Sequence, residues 1–288
     1  DQQLIGLQYE DLSAGEGELY LKGFIAQRDF EQQLPFVGSS RLGYQRDYMG
    51  ASAEYHHEVT LGNLPLNYIV GVDAARQKDD RFRNDVNPQG AVGEPLADET
   101  QTATSTGVFA QGDLALSEQL SLSLGARFDR VALDVDDDFA ADGDQSGQRT
   151  FNEWSGSAGL SYRYRPQHQA YINTGTAFET PTFSEFANPA GGGFNPSVEP
   201  QKAWNREVGL RGYIEPLALD YDVALFSVRV RDELVPYDEG GRTFYQNAGD
   251  TNRDGVELAL GWQLADQWRL DSALTLARYE FDEFATPS

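Results

Sequence analysis

Six aspartates crowd one short segment of the chain and form its clearest candidate for metal chemistry. They are Asp134, Asp136, Asp137, Asp138, Asp142 and Asp144. The alternate spacing of the first few is typical of a calcium-binding loop. An EF-hand, however, has glycine at its sixth position and glutamate at its twelfth, where this chain has Phe139 and Gln145. We therefore interpret the segment as an acidic surface loop, with calcium binding as the open alternative.

The other residue types that could do chemistry are not arranged for it. His56 and His57 are adjacent, so in a strand they point to opposite faces and cannot bind one metal ion together. His168 lies at a predicted short turn. The chain has no cysteine, and no segment is typical of a nucleophile elbow or of a glycosidase carboxylate pair. We expect no catalysis, no metal site and no cofactor.

Three aromatic side chains mark the best candidate for ligand contact. Phe183, Phe186 and Phe194 surround the glycines at 191–193 in a long predicted loop, where they could stack on a ligand. The alternative is that Phe183 and Glu185 hold this loop against the wall of its own domain.

Arg242 and Tyr245 form a second candidate site, at a predicted hairpin tip. They offer a cation and a phenol to an anionic ligand, next to Gly240 and Gly241. The alternative is that these residues only form the turn.

Composition excludes two broad classes of protein. The formal net charge of -24 argues against nucleic acid as a partner, because phosphate binding needs clustered lysine and arginine. No run approaches the roughly eighteen apolar residues that a spanning helix needs. Hydrophobic content of 40% is still compatible with a membrane barrel, since every second residue of such a strand faces the lumen.

Turn signals recur about every fifty residues and alternate with longer connections. The short turns fall near residues 15, 63, 118, 166, 215 and 266. The long connections are predicted at 31–45, 78–104, 136–149 and 179–203, with a tighter hairpin at 238–242. Short turns on one side and long loops on the other are typical of a transmembrane barrel. We predict an all-β fold, an antiparallel transmembrane β-barrel, with about twelve strands in this chain.

The predicted strands have one apolar and one polar face. Residues 120, 122, 124, 126 and 128 are apolar, and the same phase returns at 256–264. Asp220, Asp222, Glu257 and Gln263 have the opposite phase and are expected to face a wet lumen. Aromatic residues near the short turns are expected in the lipid headgroup layer: Tyr162, Tyr164, Tyr213, Trp262 and Trp268. A soluble β-sandwich, the alternative, would show similar alternation in shorter strands.

From residue 107 onward the chain resembles the barrel of TonB-dependent outer-membrane receptors. The motifs follow the order of that family: GVFAQ at 107–111, LGARFD at 124–129, YINTGTAF at 171–178, TPTFSE at 180–185, PSVEP at 196–200, NREVGLR at 205–211 and RDGVE at 253–257. The chain departs from the pattern at Glu179, where arginine is common, and at Ser197 and Val198.

The resemblance implies more protein than this chain contains. The family has a barrel of about 22 strands around a plug that contacts TonB. Residues 1–288 would be a single barrel domain, incomplete at both ends, without the plug and the closing strands. The implied role is uptake of a small molecule such as a ferric siderophore through the outer membrane of a Gram-negative bacterium, with membrane lipid as a further partner.

Two other functions stay open. Residues 242–249, RTFYQNAG, are similar to the branch of the family that imports pyrroloquinoline quinone. A passive porin would have the same strands without a plug.

Overall fold

The structure is a computed structural model that describes residues 1–33, 40–87, 89–139, 141 and 143–284, with only the backbone for residues 283 and 284. Within these ranges no helix has the length and apolar character needed to cross a membrane.

Twelve long strands form one antiparallel sheet in which each strand pairs with the next along the chain. This confirms the predicted fold class and number of strands. Their bounds are β1 Gln2–Ala14, β2 Gly17–Gln33, β3 Ser40–Leu61, β4 Leu64–Val86, β5 Val92–Ala115, β6 Leu120–Asp137, β7 Gly147–Arg165, β8 His168–Glu179, β9 Gln201–Ile214, β10 Leu219–Glu239, β11 Arg242–Ala265 and β12 Trp268–Phe284. In the described part of the chain, β1 and β12 each have one neighbour, so the sheet is not closed.

The short turns lie where the sequence predicts them. Gly15 and Gly62 have φ angles of 69° and 68°, in the left-handed region that glycine adopts without steric cost. Gln167 and Ala218 reach the same region at the turns after β7 and β9. Every second connection therefore consists of a few residues, and all of these lie at one end of the sheet.

The predicted long loop at 78–104 is wrong. β4 and β5 pair almost continuously from Leu66 opposite Leu114 to Val86 opposite Val92, so only residues 87–91 connect them. The residues typical of loops in this segment, such as Asn87, Gly90 and Pro95, suggest a connection longer than the one that is present. Cross-strand contacts support the strands instead, such as the hydrogen bond from Thr100 Oγ1 to Asp80.

The predicted long connection at 31–45 is also too long, because β2 continues to Gln33 and β3 begins at Ser40. Residues 34–39 lie outside the described residues. The other two long connections are close to the predictions. β6 ends at Asp137 and β8 at Glu179, so the loops at 136–149 and 179–203 are confirmed with small changes at their ends.

An unbroken row of aliphatic side chains crosses ten strands on one face of the sheet. Each member lies opposite the next in the strand register, and the row consists of Val59, Leu66, Leu114, Leu122, Leu160, Ile172, Val208, Leu225, Val256 and Leu276. Most of these side chains are well exposed in the chain alone. A continuous exposed apolar band suits contact with lipid. We call this side the apolar face.

The opposite side, the polar face, carries paired charges. Arg127 donates to Asp73, with an Nη1–Oδ2 distance of 2.7 Å, and to Asp129, with an Nη2–Oδ1 distance of 2.6 Å. Asp222 pairs in register with Arg211, as predicted for the lumen side. Tyr213, predicted near lipid headgroups, instead lies opposite Asp220 and shares the polar face.

Candidate functional site

The long-loop end of the polar face carries an apolar cluster that anchors the loop between β8 and β9. Phe186 and Val198 of this loop are 1% and 0% exposed, and they pack against Leu133 and Phe151 of β6 and β7. The loop, residues 180–200, is called the inner loop below. It folds onto the polar face because these two strands carry apolar side chains there.

The three phenylalanines predicted to contact ligand meet in this cluster. Phe186 stacks between Phe151 and Phe194, with ring centroids 5.9 and 4.8 Å away, and Phe183 lies 6.4 Å from Phe194. A side chain as buried as that of Phe186 offers no surface to a ligand in this conformation. Phe183 and Phe194 are half-buried, and contact between them and a ligand stays a prediction.

Two polar side chains of the wall hold the end of the inner loop. Arg149 donates to the carbonyl oxygens of Pro196 and Val198 and pairs with the Glu199 carboxylate at 2.7 Å. Asn247 accepts from the Glu199 backbone nitrogen at 2.8 Å and donates to the Glu199 carbonyl oxygen at 2.9 Å. Asn247 therefore has a structural role, since it fixes the backbone of Glu199. The contacts of Arg149 were not predicted.

Arg242 and Tyr245 lie near the tip of the β10–β11 hairpin. Arg242 is exposed, with its guanidinium 5.4 Å from the centre of the Phe244 ring, and Tyr245 is half-buried. Gly240 and Gly241 form the turn with positive φ angles of 59° and 80°. The turn role is thus visible, and a ligand role for Arg242 and Tyr245 stays a prediction.

A cluster of arginines and aromatic rings on β2 and β3 was not found from the sequence. Phe30 and Tyr44 stack at 5.3 Å, and the guanidinium of Arg28 lies 5.8 Å from the centre of Phe30 and 5.9 Å from that of Tyr44. Arg46 lies 5.0 Å from the centre of Tyr44. We call Arg28, Phe30, Tyr44 and Arg46 the arginine–aromatic patch. Strand alternation places it on the polar face, in the half of the strands next to the long loops.

The two arginines of the patch differ in whether they have an acidic partner. Arg46 makes a bidentate pair with Asp79, at 2.7 and 2.6 Å, and Asp79 is only 4% exposed. Burial of this carboxylate is compensated by the paired guanidinium. Arg28 is exposed, and no ion pair to it exists among the described residues. It is the cation of the patch that remains available to an anionic ligand.

The acidic segment is largely ordered by its own carboxylates. Asp134 and Asp136 lie within β6, opposite Thr102 and Thr100, rather than in a loop. The Asp137 carboxylate accepts hydrogen bonds from the backbone nitrogens of Phe139 and Gln145.

Metal binding finds no support in the described part of the chain. No three histidine or acidic side chains there are grouped to hold an ion, and Asp142 lies outside the described residues. His56 contacts Glu54 and Tyr20, whereas His57 lies between the rings of Tyr55 and Tyr68.

The sequence as a whole matches a known family model. The family is described as TonB dependent receptor-like, beta-barrel, and the match covers residues 2–287. The chain belongs to this family. Its members are transport receptors, and the order of motifs from residue 107 is thereby explained.

Individual relatives are similar over most of this chain. A probable TonB-dependent siderophore receptor, PiuA, from Acinetobacter baumannii is 21% identical over 85% of the chain and 35% of its own length. The metal-pseudopaline receptor CntO from Pseudomonas aeruginosa is 23% identical over 94% of the chain and 38% of its own length.

Solved structures share the fold. The crystal structure of PiuA superposes with a TM-score of 0.79 at 15% identity, covering 100% of this chain and 48% of that one. The copper transporter OprC gives 0.81 at 17% identity, covering 99% and 48%. This chain thus spans less than half the length of the relatives it matches.

Proposed function

We propose that this chain is the barrel portion of an active-uptake receptor in the outer membrane of a Gram-negative bacterium. Its cargo would be a scarce nutrient carried as an anionic metal chelate, such as a ferric siderophore. Family membership supports the class of protein. The arginine–aromatic patch supports the chemistry of the ligand.

The patch suits a planar anion. Two stacked rings provide an apolar surface, and guanidinium groups lie beside them at 5.0–5.9 Å. Arginine binds carboxylate or catecholate oxygens through paired hydrogen bonds, and aromatic faces add stacking. The patch lies on the polar face near the long loops, where a ligand arriving from outside the cell would first meet the lumen wall.

The remainder of the protein would supply the energy coupling. We propose that residues 1–288 form part of a larger closed barrel, around a plug that contacts TonB. The relatives are more than twice the length of this chain, which leaves room for both.

The test is binding and growth with the full-length receptor. Arg28→Gln and Tyr44→Ala should each weaken binding of the cognate ferric siderophore about tenfold, measured with a panel of ferric chelates in detergent. Arg41→Gln is the matched control. Arg41 is on the same strand as Tyr44 but the opposite face, where it pairs with Glu31, and its substitution should leave binding unchanged.

Growth experiments separate the alternatives. Deleting the gene should abolish growth on one ferric chelate under iron limitation, and deleting TonB should have the same effect. If deletion instead abolishes only growth that depends on added pyrroloquinoline quinone and leaves growth on every ferric chelate unchanged, the receptor takes that quinone. TonB-independent uptake would indicate a passive pore and contradict the proposal.

A further inference from the structure

The sheet is split between β7 and β8 in the half nearer the long loops. Ser157 opposite Gly175 is the last pair between these two strands. The pairing of β7 with β6 and of β8 with β9 continues beyond that level, so the split is confined to one junction. Residues 153–156 of β7 and 176–179 of β8 would be partners in a continuous ladder, and we call these two segments the seam.

A side-chain hydroxyl group replaces a backbone partner within the seam. The Gly156 nitrogen donates to Thr176 Oγ1 at 3.0 Å, where a ladder would present a carbonyl oxygen. The hydroxyl group therefore stands between the two strands. At the end nearer the long loops, Lys202 of β9 reaches across β8 to Glu153 of β7, with 2.8 Å between Nζ and Oε2. Polar contacts thus limit the seam at both of its ends.

The course of the chain after β8 explains the split. β8 has 12 residues, whereas β10 has 21, because the chain leaves the wall after Glu179 and enters the inner loop. The side chains of Pro181 and Phe186 in this loop are fully buried. The end of β8 therefore leads toward the polar face, while β7 continues in the wall.

Phenylalanine rings lie next to the seam on the polar face. Phe151 is two residues from Glu153 along β7 and stacks on Phe186. Phe186 in turn stacks on Phe194, with ring centroids 4.8 Å apart. Because Phe183 and Phe194 are only half-buried, the cluster still has aromatic surface open to an apolar group.

The apolar face has aromatic rings and a groove at the same place. Trp154 of the seam is 71% exposed, and Phe178 on the β8 side is half-buried. A groove of about 610 Å³ adjoins them on the apolar face, and its lining includes Leu160, Ile172 and Trp204. Apolar surface therefore extends from this groove, past the seam, to the phenylalanine cluster.

The level of the seam allows its unpaired backbone groups to meet water. On the apolar face of β7, Leu160, Ala158 and Trp154 are followed by Asn152 and Thr150. The apolar band of this strand thus ends at the seam. Unpaired backbone groups are excluded from the hydrocarbon interior of a bilayer, but water at its surface can bind them.

We propose that the cargo carries an alkyl chain, and that this chain lies in the seam between the phenylalanine cluster and the membrane. The polar part of the cargo stays in the lumen. An alkyl chain is the occupant that fits, because the surfaces on both sides of the seam are apolar and burying them against hydrocarbon is favourable. The inference rests on the proposed uptake function and narrows its substrates to amphiphiles.

The experiment uses the full-length receptor in lipid nanodiscs with a photoreactive alkyl probe. The probe is dodecanoate with a diazirine at the end of its chain, and butanoate with the same group is the matched short probe. Mass spectrometry of peptides locates the label after irradiation. We expect dodecanoate to label the inner loop about tenfold more than butanoate does, because its longer chain buries more apolar surface.

Closing the seam should remove this label. Ser155→Cys and Ala177→Cys place two cysteines where the next partners would be if the pairing continued on the same face. Oxidation after folding forms a disulfide that holds the Cα atoms about 5.5 Å apart, which leaves no space for an alkyl chain. We expect the inner-loop label to fall about tenfold and to return on reduction. Ser157→Cys with Gly175→Cys is the matched control, because it crosslinks the last existing pair and leaves the seam open.

Heat-modifiable gel migration verifies that each variant is folded. Should the disulfide not form, Ala177→Trp decides, because an indole at this position fills the seam and should cause the same loss. An unlabelled inner loop in the wild type, or a label that persists after the seam is closed, would overturn the proposal. Failure of the receptor to bind any ferric chelate would refute the proposed function alone, since the label in the inner loop does not depend on iron.

Discussion

The ring of Phe186 is stacked on that of Phe151 at 5.9 Å, and this contact joins the inner loop to the wall of the sheet. We predict that Phe186→Ala releases the loop while the sheet stays intact. Removing a fully buried phenylalanine costs about 3–5 kcal/mol, and only the loop depends on this side chain. Limited proteolysis should therefore begin to cleave residues 187–195. Phe183→Ala, at a half-buried position, should have a smaller effect, and equal protection in all three proteins would contradict the prediction.

Asn247→Asp should loosen the same loop by a different mechanism. The Asn247 amide group donates to the carbonyl oxygens of Glu199 and Asp232, at 2.9 and 2.6 Å. A carboxylate of the same shape cannot donate, and it would leave two acceptors facing it at a cost of about 2 kcal/mol. Limited proteolysis within residues 187–195 should therefore accelerate. Cleavage at the wild-type rate would mean that Arg149 alone holds the loop.

Arg127→Met should destabilise the sheet more than Arg269→Met. Arg127 bridges Asp73 and Asp129, and its loss leaves two neighbouring carboxylates unpaired on the polar face. We expect a cost of about 2 kcal/mol, because these groups are partly shielded from water. Arg269 also has two acidic partners, but all three side chains are about half-exposed or more, so its loss should cost below about 1 kcal/mol.

The two variants are compared by the temperature at which the folded band is lost on a gel of samples heated before loading. Arg127→Lys should not retain the stability of the wild type, since an ammonium group cannot bind both carboxylates in bidentate fashion. Full rescue by lysine would show that charge alone, rather than the guanidinium geometry, is required.

Acidification should weaken the contact between Asp80 of β4 and Thr100 of β5. Hydrogen bonds from Lys78, and then from Thr100, lower the pKa of Asp80 below the ordinary aspartate value of about 3.9. Because the pKa of Asp80 is lower in the folded protein, the contact stabilises the fold fully above the ordinary pKa. This stabilisation is lost as the pH falls through the lowered pKa of the folded state. Thr100→Val should raise the pKa of Asp80, as measured by carbon NMR titration of its carboxyl. Thr106→Val, on the same strand but opposite Ala74, is the control and should leave it unchanged.

Much of the sheet could be predicted from the sequence because a sheet with one apolar and one polar face requires a simple pattern. Strand alternation is visible at residues 120–128 and 256–264, and the short turns at Gly15 and Gly62 mark the ends of hairpins. The extensions of β4 and β5 beyond the apolar band could not be predicted, because polar residues on both faces remove the alternation. Their strands are specified by cross-strand pairs such as Asp80 with Thr100.

The candidate site could be predicted from the sequence only in part. Phe183, Phe186 and Phe194 could be singled out as aromatic residues in a long loop, but not the wall residues Leu133 and Phe151 that cover them. Arg28, Phe30 and Tyr44 come from two strands, and only the register that places Phe30 opposite Tyr44 brings them together.

The sequence by itself determined the fold class, the two faces and the sidedness of the connections, because alternation and turn chemistry are local properties of the chain. The tertiary structure alone decided which charges find partners. Arg46 has Asp79 and Arg127 has two carboxylates, whereas Arg206 has a tryptophan ring and no acid among the described residues. The physical reason is register: a shift of one residue between neighbouring strands changes every cross-strand pair, and no single strand contains that information.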